Sequence, residues 1–173
     1  NSIIVRNNIL YSCTDLGIYT STNQGQNWTL ISSNIKDVSS LTFDQNSNMI
    51  AGTNYGIHRS TNGGNNWICT VFRQSTVSSL YCDLSGDIYS TGPLLNNYSA
   101  AWKTTDNGST WVRLVKMNNS ISSIALTSNG YIFLGTANGI YKSTNNGIDF
   151  NLSSSVFASG AVITLDSGIV IAG

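Results

Sequence analysis

Four copies of one octapeptide decide the fold: STNQGQNW from Ser21 to Trp28, STNGGNNW from Ser60 to Trp67, TTDNGSTW from Thr104 to Trp111 and STNNGIDF from Ser143 to Phe150. The closing aromatics Trp28, Trp67, Trp111 and Phe150 stand 39, 44 and 39 residues apart. The glycines Gly25, Gly64, Gly108 and Gly147 keep the same spacing. Self-similarity at a fixed period of about 20 to 50 residues marks stacked supersecondary units. Outward from the octapeptide the rest of the unit recurs. An alternating run comes first (VSSLTF from Val38, VSSLYC from Val77, ISSIAL from Ile121), then a polar turn and a short apolar strand. A third strand leads into the octapeptide, so that LYSCTDLGIYTS (10–21), MIAGTNYGIHRS (49–60) and IFLGTANGIYKS (132–143) run parallel. Period-two alternation of Val, Ile, Tyr and Thr between Asn-Gly and Ser-Gly turns is strand and hairpin chemistry. Each unit is therefore expected to hold four short strands, the octapeptide turning the third into the fourth. Units of this size bury both faces only by stacking, and radial stacking makes a β-propeller.

The pattern S/T-x-D/N-x-G-x-x-W/F resembles the Asp-box, or BNR, repeat of sialidases, sortilin-type receptors, xyloglucanases and photosystem II assembly factors, and the likeness covers nearly the whole chain. It implies an all-β propeller of four-stranded antiparallel blades. The hydroxyl positions are Ser21, Ser60, Thr104 and Ser143, and the Asx positions are Asn23, Asn62, Asp106 and Asn145. An Asx side chain at this place accepts backbone N–H groups, and the glycine supplies a positive φ. Three of the four Asx positions are Asn, so hydrogen bonding survives where a charge does not. The resemblance makes the boxes structural staples remote from the functional face, with each aromatic packing onto the next blade.

One propeller domain is expected over 1–173, with blades at about 1–34, 35–73, 74–117 and 118–156 and a partial blade at 157–173. That is about four and a half blades, which leaves open strand edges and points to a larger ring of about six to eight blades. The other expectation is a half-ring that closes by association with a second copy through those edges.

Composition narrows the partners. Charged residues make up 9%, and eight basic residues balance eight acidic ones. With no basic run, the electrostatic footprint of a nucleic-acid or anionic-membrane binder is absent, so no nucleic acid is expected as a partner. No apolar run approaches the length that spans a bilayer, so no membrane insertion is expected. Cys13, Cys69 and Cys82 fall in strand-like runs and read as small core residues, so no metal or other cofactor is expected. Five Asn-x-Ser/Thr sequons occur, at Asn27, Asn97, Asn107, Asn118 and Asn151. Two of them lie inside octapeptides, where a glycan fits badly.

No catalytic set is legible. The resemblance ties sialidase chemistry to an arginine triad, a Tyr–Glu pair and an acidic donor, but all eight acids here are Asp. The weak catalytic candidates are Asp15 and Asp37, the two acids expected opposite the octapeptides; a xyloglucanase-like hydrolase needs two carboxylates across a cleft. His58 aligns with Tyr19, Trp102 and Tyr141 and reads as a substitute for a packing aromatic. Arg59, Lys103 and Lys142 share the next position and read as repeated solvated charges.

Binding residues are expected where a rigid scaffold positions loops. The third unit's five extra residues fall in PLLNNYSA, between its second and third strands, which singles out Asn96, Asn97 and Tyr98. Tyr55 in the equivalent turn of the second unit follows, with Phe72 and Arg73 in the connection to the third. The function expected is a non-catalytic binding or scaffolding propeller, extracellular or in the cell envelope, that holds a protein or glycan opposite the octapeptides.

Overall fold

The computed structural model describes residues 2–71, 76–94, 96–155, 162–164 and 170–172. Among them there is no helix. The first sheet holds β1 (Ile3–Arg6), β2 (Ile9–Thr14), β3 (Gly17–Ser21) and β4 (Thr29–Ser32). The second holds β5 (Val38–Phe43), β6 (Met49–Thr53), β7 (Gly56–Ser60) and β8 (Ile68–Val71). The third holds β9 (Ser79–Cys82), β10 (Ile88–Pro93), β11 (Ser99–Thr104) and β12 (Val112–Met117). The fourth holds β13 (Ile121–Leu126), β14 (Ile132–Thr136), β15 (Gly139–Ser143) and β16 (Asn151–Ser154). A further hairpin pairs β17 (Val162–Thr164) with β18 (Val170–Ala172). Every sheet is antiparallel with its strands in chain order, the form of a propeller blade. The chain divides into two compact units, Asn1–Val77 and Ser78–Gly173.

The octapeptides make the turns from third to fourth strand, and all four are closed by one hydrogen-bond set. In the first, Ser21 Oγ donates to Asn23 Oδ1 and accepts the Gly25 N–H, both at 2.9 Å, while Asn23 Oδ1 accepts the Asn27 N–H at 2.9 Å. The same three bonds join Ser60, Asn62, Gly64 and Asn66; Thr104, Asp106, Gly108 and Thr110; and Ser143, Asn145, Gly147 and Asp149. Two consecutive residues have positive φ in each turn, for example Asn107 at 56° and Gly108 at 85°, which favours Asn followed by Gly. The indole N–H of Trp28, Trp67 and Trp111 closes back onto its own box glycine carbonyl.

Only the third turn has an ionisable Asx. Hydrogen bonds from the Thr104 and Thr110 side chains and the Thr110 N–H hold the Asp106 carboxyl down at about 2, below its usual 3.8. A depressed carboxyl stabilises the turn fully above its unfolded pKa and loses that contribution as pH falls through the folded value. The Thr110 amide is expected to titrate with a midpoint near 2. In Asp106→Asn the amide should stay flat, as is expected of the Asn27 and Asn66 amides, which donate to Asn side chains. NMR shifts between pH 5 and pH 1.5 check this, and a Thr110 midpoint near 4 would contradict the network.

Packing in each unit places the aromatics. In the first unit, Cys13, Ile18 and Ile35 meet Val38, Leu41, Met49 and Ala51, with Ile4, Tyr11, Ile31, Phe43 and Trp67 around them. In the second, Tyr89 and Ala101 meet Ile121, Ile124, Leu126, Ile132 and Leu134, with Phe150 packed against the cluster. The expected direction of the closing aromatic is thereby corrected. Trp67 reaches back to the preceding sheet, where its indole N–H donates to Ser32 Oγ at 2.8 Å. Register explains the direction: Trp67 shares a sheet face with Leu41 and Met49, the face turned toward the first sheet.

The repeated cations are also not solvated as expected. Arg59 pairs with buried Asp44 at 3.4 Å, and Lys103 pairs with Asp87 at 2.7 Å while lying over the Tyr89 ring. Lys142 lies over the Tyr131 ring at 4.1 Å. Each stands on a third strand, from which a long side chain reaches the hairpin joining first strand to second. Asp44 and Asp83 in those hairpins accept two backbone N–H groups apiece and act as turn formers. Cys13 is buried in the core, whereas Cys69 and Cys82 are half-buried on their strands.

Candidate functional site

At the end opposite the octapeptides, the second strand turns into the third. Three sheets do this in two residues: Asp15–Leu16, Asn54–Tyr55 and Ala137–Asn138. A threonine clasps each turn. Thr53 Oγ1 donates to the Gly56 carbonyl at 3.0 Å and accepts the Tyr55 N–H at 2.9 Å, and Thr14 and Thr136 repeat both bonds. The glycine that ends the turn, Gly17, Gly56 or Gly139, has φ between 113° and 136°.

The third sheet departs from this plan. Its hairpin gains the rung Pro93–Ser99 and a lobe from Leu94 to Tyr98, closed by the Leu94 N–H on the Tyr98 carbonyl at 2.6 Å. Asn96 and Asn97 bend the lobe at φ 62° and 61°, a conformation Asn tolerates better than most residues. The half-buried Tyr98 ring receives the Lys116 ammonium at 3.7 Å. Asn96 and Asn97 are exposed. Beside the described part of the insertion an aromatic, two amides and the Lys116 cation of β12 come together.

Lys116 was not among the expected residues. Its signal lies in VRLVKM (112–117), where β12 runs six residues while β4, β8 and β16 run four. The longer fourth strand carries Lys116 up to the lobe, opposite Ala100.

In the first unit, Tyr55 crowns its turn and is 57% exposed. Asp15 and Asp37 are brought side by side: the Asp37 N–H donates to the Asp15 carbonyl at 3.1 Å, and the Asp37 carbonyl accepts the Asn54 N–H at 3.3 Å. Lys36 Nζ donates to the Leu16 carbonyl at 3.0 Å, and around this bond Asp15, Leu16, Asn54 and Tyr55 are exposed and Asp37 is half-buried. Phe72 and Arg73 lie outside the described residues. His58 takes the aromatic position on β7 opposite Ala51, where burial lowers its pKa. Among the described residues no three His, Cys or acidic side chains gather as metal ligands, and no helix is long and apolar enough to cross a membrane.

No protein-family model matches the chain, and neither does any curated protein. Solved structures do. An ancestral GH74 enzyme superposes with a TM-score of 0.80 at 22% identity, over 96% of this chain and 26% of that one. The extracellular domain assigned to a one component system of B. thetaiotaomicron gives 0.77 at 16% identity, over 99% of this chain and 25% of its own. A chain of the nidogen/laminin complex gives 0.77 at 12% identity, over 92% and 65%. The fold is that of a β-propeller. This chain spans about a quarter of the length of the first two neighbours.

Proposed function

We propose that the chain is a non-catalytic binding or scaffolding propeller of the Asp-box kind, extracellular or envelope-associated, that holds a protein or glycan at the end opposite the octapeptides. The observation carrying this reading is the lobe of the third sheet, where Tyr98 is fixed over Lys116 and flanked by two exposed amides. An aromatic face stacks on a sugar ring or an apolar side chain, and the amides read hydroxyl or peptide groups. The hydroxyl–Asx–glycine network of the four turns supports the Asp-box assignment. A neighbour that is an extracellular domain supports the location.

Binding of the chain to a glycan array, and to extracellular matrix proteins in parallel, tests the reading. Tyr98→Ala is expected to lower affinity by about tenfold or more, since aromatic anchors carry much of a small interface's energy. Tyr55→Ala tests the candidate of the second sheet independently. Binding that is unchanged in both variants would remove these assignments.

Asp15 and Asp37, joined through their backbones, support one second reading, a fragment of a glycoside hydrolase using two carboxylates. The GH74 neighbour supports it at the level of fold. Reducing-sugar release from β-glucans, abolished by Asp15→Asn or Asp37→Asn, would establish it over the first.

A further inference from the structure

Inside the first unit, toward its octapeptide end, a cleft of about 280 Å³ opens between the first two sheets. Apolar side chains of Tyr11, Ile31, Phe43 and Met49 line it together with Arg6, Thr20 and Ser47.

Register shows why the cleft exists. Rungs Leu10–Ser21 and Met49–Ser60 correspond, so Thr20 stands where Arg59 stands in the second sheet and Lys103 in the third. Likewise Val5–Leu10 matches Phe43–Met49, which puts Arg6 at the place of Asp44. In the second sheet these two places hold an acid and a cation that pair, Asp44 with Arg59, and in the third Lys103 at the cation's place pairs with Asp87, from the other side of the same hairpin. The first sheet inverts the pattern, with a cation at the acid's place and a short hydroxyl at the cation's. Arg6 has no acidic partner among the described residues. Its guanidinium lies 4.4 Å over the Phe43 ring and donates once, to Ser47 Oγ at 3.0 Å. A guanidinium has five N–H donors in a fork that matches a carboxylate.

We propose that this cleft is a binding site for a small organic carboxylate, whose charge pairs with Arg6 in the space that the short Thr20 side chain leaves and whose body rests against Tyr11, Ile31, Phe43 and Met49. A volume near 280 Å³ suits one ring-sized molecule. The site shares no residue with the candidates Asp15, Asp37, Tyr55 and Tyr98 and does not depend on their role.

Titration by NMR with benzoate and D-glucuronate, each against a neutral counterpart (benzyl alcohol and D-glucose), tests the proposal. At least one carboxylate is expected to shift the Tyr11, Thr20 and Phe43 resonances, at an affinity about tenfold or more above its counterpart. Benzoate alone would define an aromatic body, and glucuronate alone a sugar acid. Arg6→Gln is expected to lose the preference. The double variant Arg6→Asp/Thr20→Arg rebuilds the pair found in the second sheet, so it should fold and bind neither acid. No binding of either acid to the wild type, equal binding of a neutral counterpart, or binding retained in the double variant would overturn the proposal.

Discussion

Gly17→Ala is expected to cost about 3 kcal/mol or more of stability, enough to lower Tm by roughly 10 °C. Gly17 has φ +136°, and a Cβ there would lie 1.9 Å from the Ser32 carbonyl oxygen, a backbone atom that no rotamer change moves aside. The close approach follows from a bulge, since the pairing of β3 with β4 shifts register between Ile18 and Tyr19 and brings Ser32 against the turn. Gly139 repeats the geometry, with Ser154 O at 2.2 Å. Gly130→Ala is the control: its φ is +81° but its Cβ would meet nothing within 4 Å, so only the conformational cost of about 1 kcal/mol applies. Denaturant unfolding separates the two, and equal losses in Gly17→Ala and Gly130→Ala would refute the steric account.

Trp67→Ala should cost about 3 to 5 kcal/mol, and Trp28→Ala at the same box position only about 1. Trp67 is half-buried against the core of the first unit, and its indole N–H is shared between Ser32 Oγ and the Gly64 carbonyl. Removing it leaves a cavity between the first two sheets and orphans the Ser32 side of that bond. Trp28 keeps only the bond to its own Gly25 carbonyl and is 38% exposed. Thermal unfolding followed by tryptophan fluorescence of the two variants checks the contrast. Comparable losses would mean that the box turn, and not packing between sheets, sets the value of this aromatic.

What could be read from the residues divides along local and non-local lines. The octapeptide turn was legible because its partners, Ser21, Asn23, Gly25 and Asn27, lie within one hairpin, so spacing alone specifies the bonds. The lobe at Leu94–Tyr98 was legible as a length difference, though not that Lys116 reaches it, since the rung opposite Ala100 depends on how far β12 extends. The direction of Trp67 was misread because a repeat shows that neighbours touch without showing which face of a strand turns to which neighbour. The cations were misread for a related reason. Arg59 and Asp44 are 15 residues apart, and only the pairing of β5, β6 and β7 brings them together. Asp15 and Asp37 were named for their end of the sheet, while their contact through the backbone depends on Asp37 adopting φ 52°.

The hairpins opposite the octapeptides carry a lesson for engineering. A connection of two residues in one sheet becomes an extra rung and a lobe in another, yet the rung Ser90–Trp102 still matches Ala51–His58. Closing a longer loop adds little entropy, so the scaffold below does not register what is spliced above it. Foreign peptides grafted between Asn54 and Tyr55, or between Ala137 and Asn138, would be displayed on a frame whose strand register is the same below the longer connection of the third sheet.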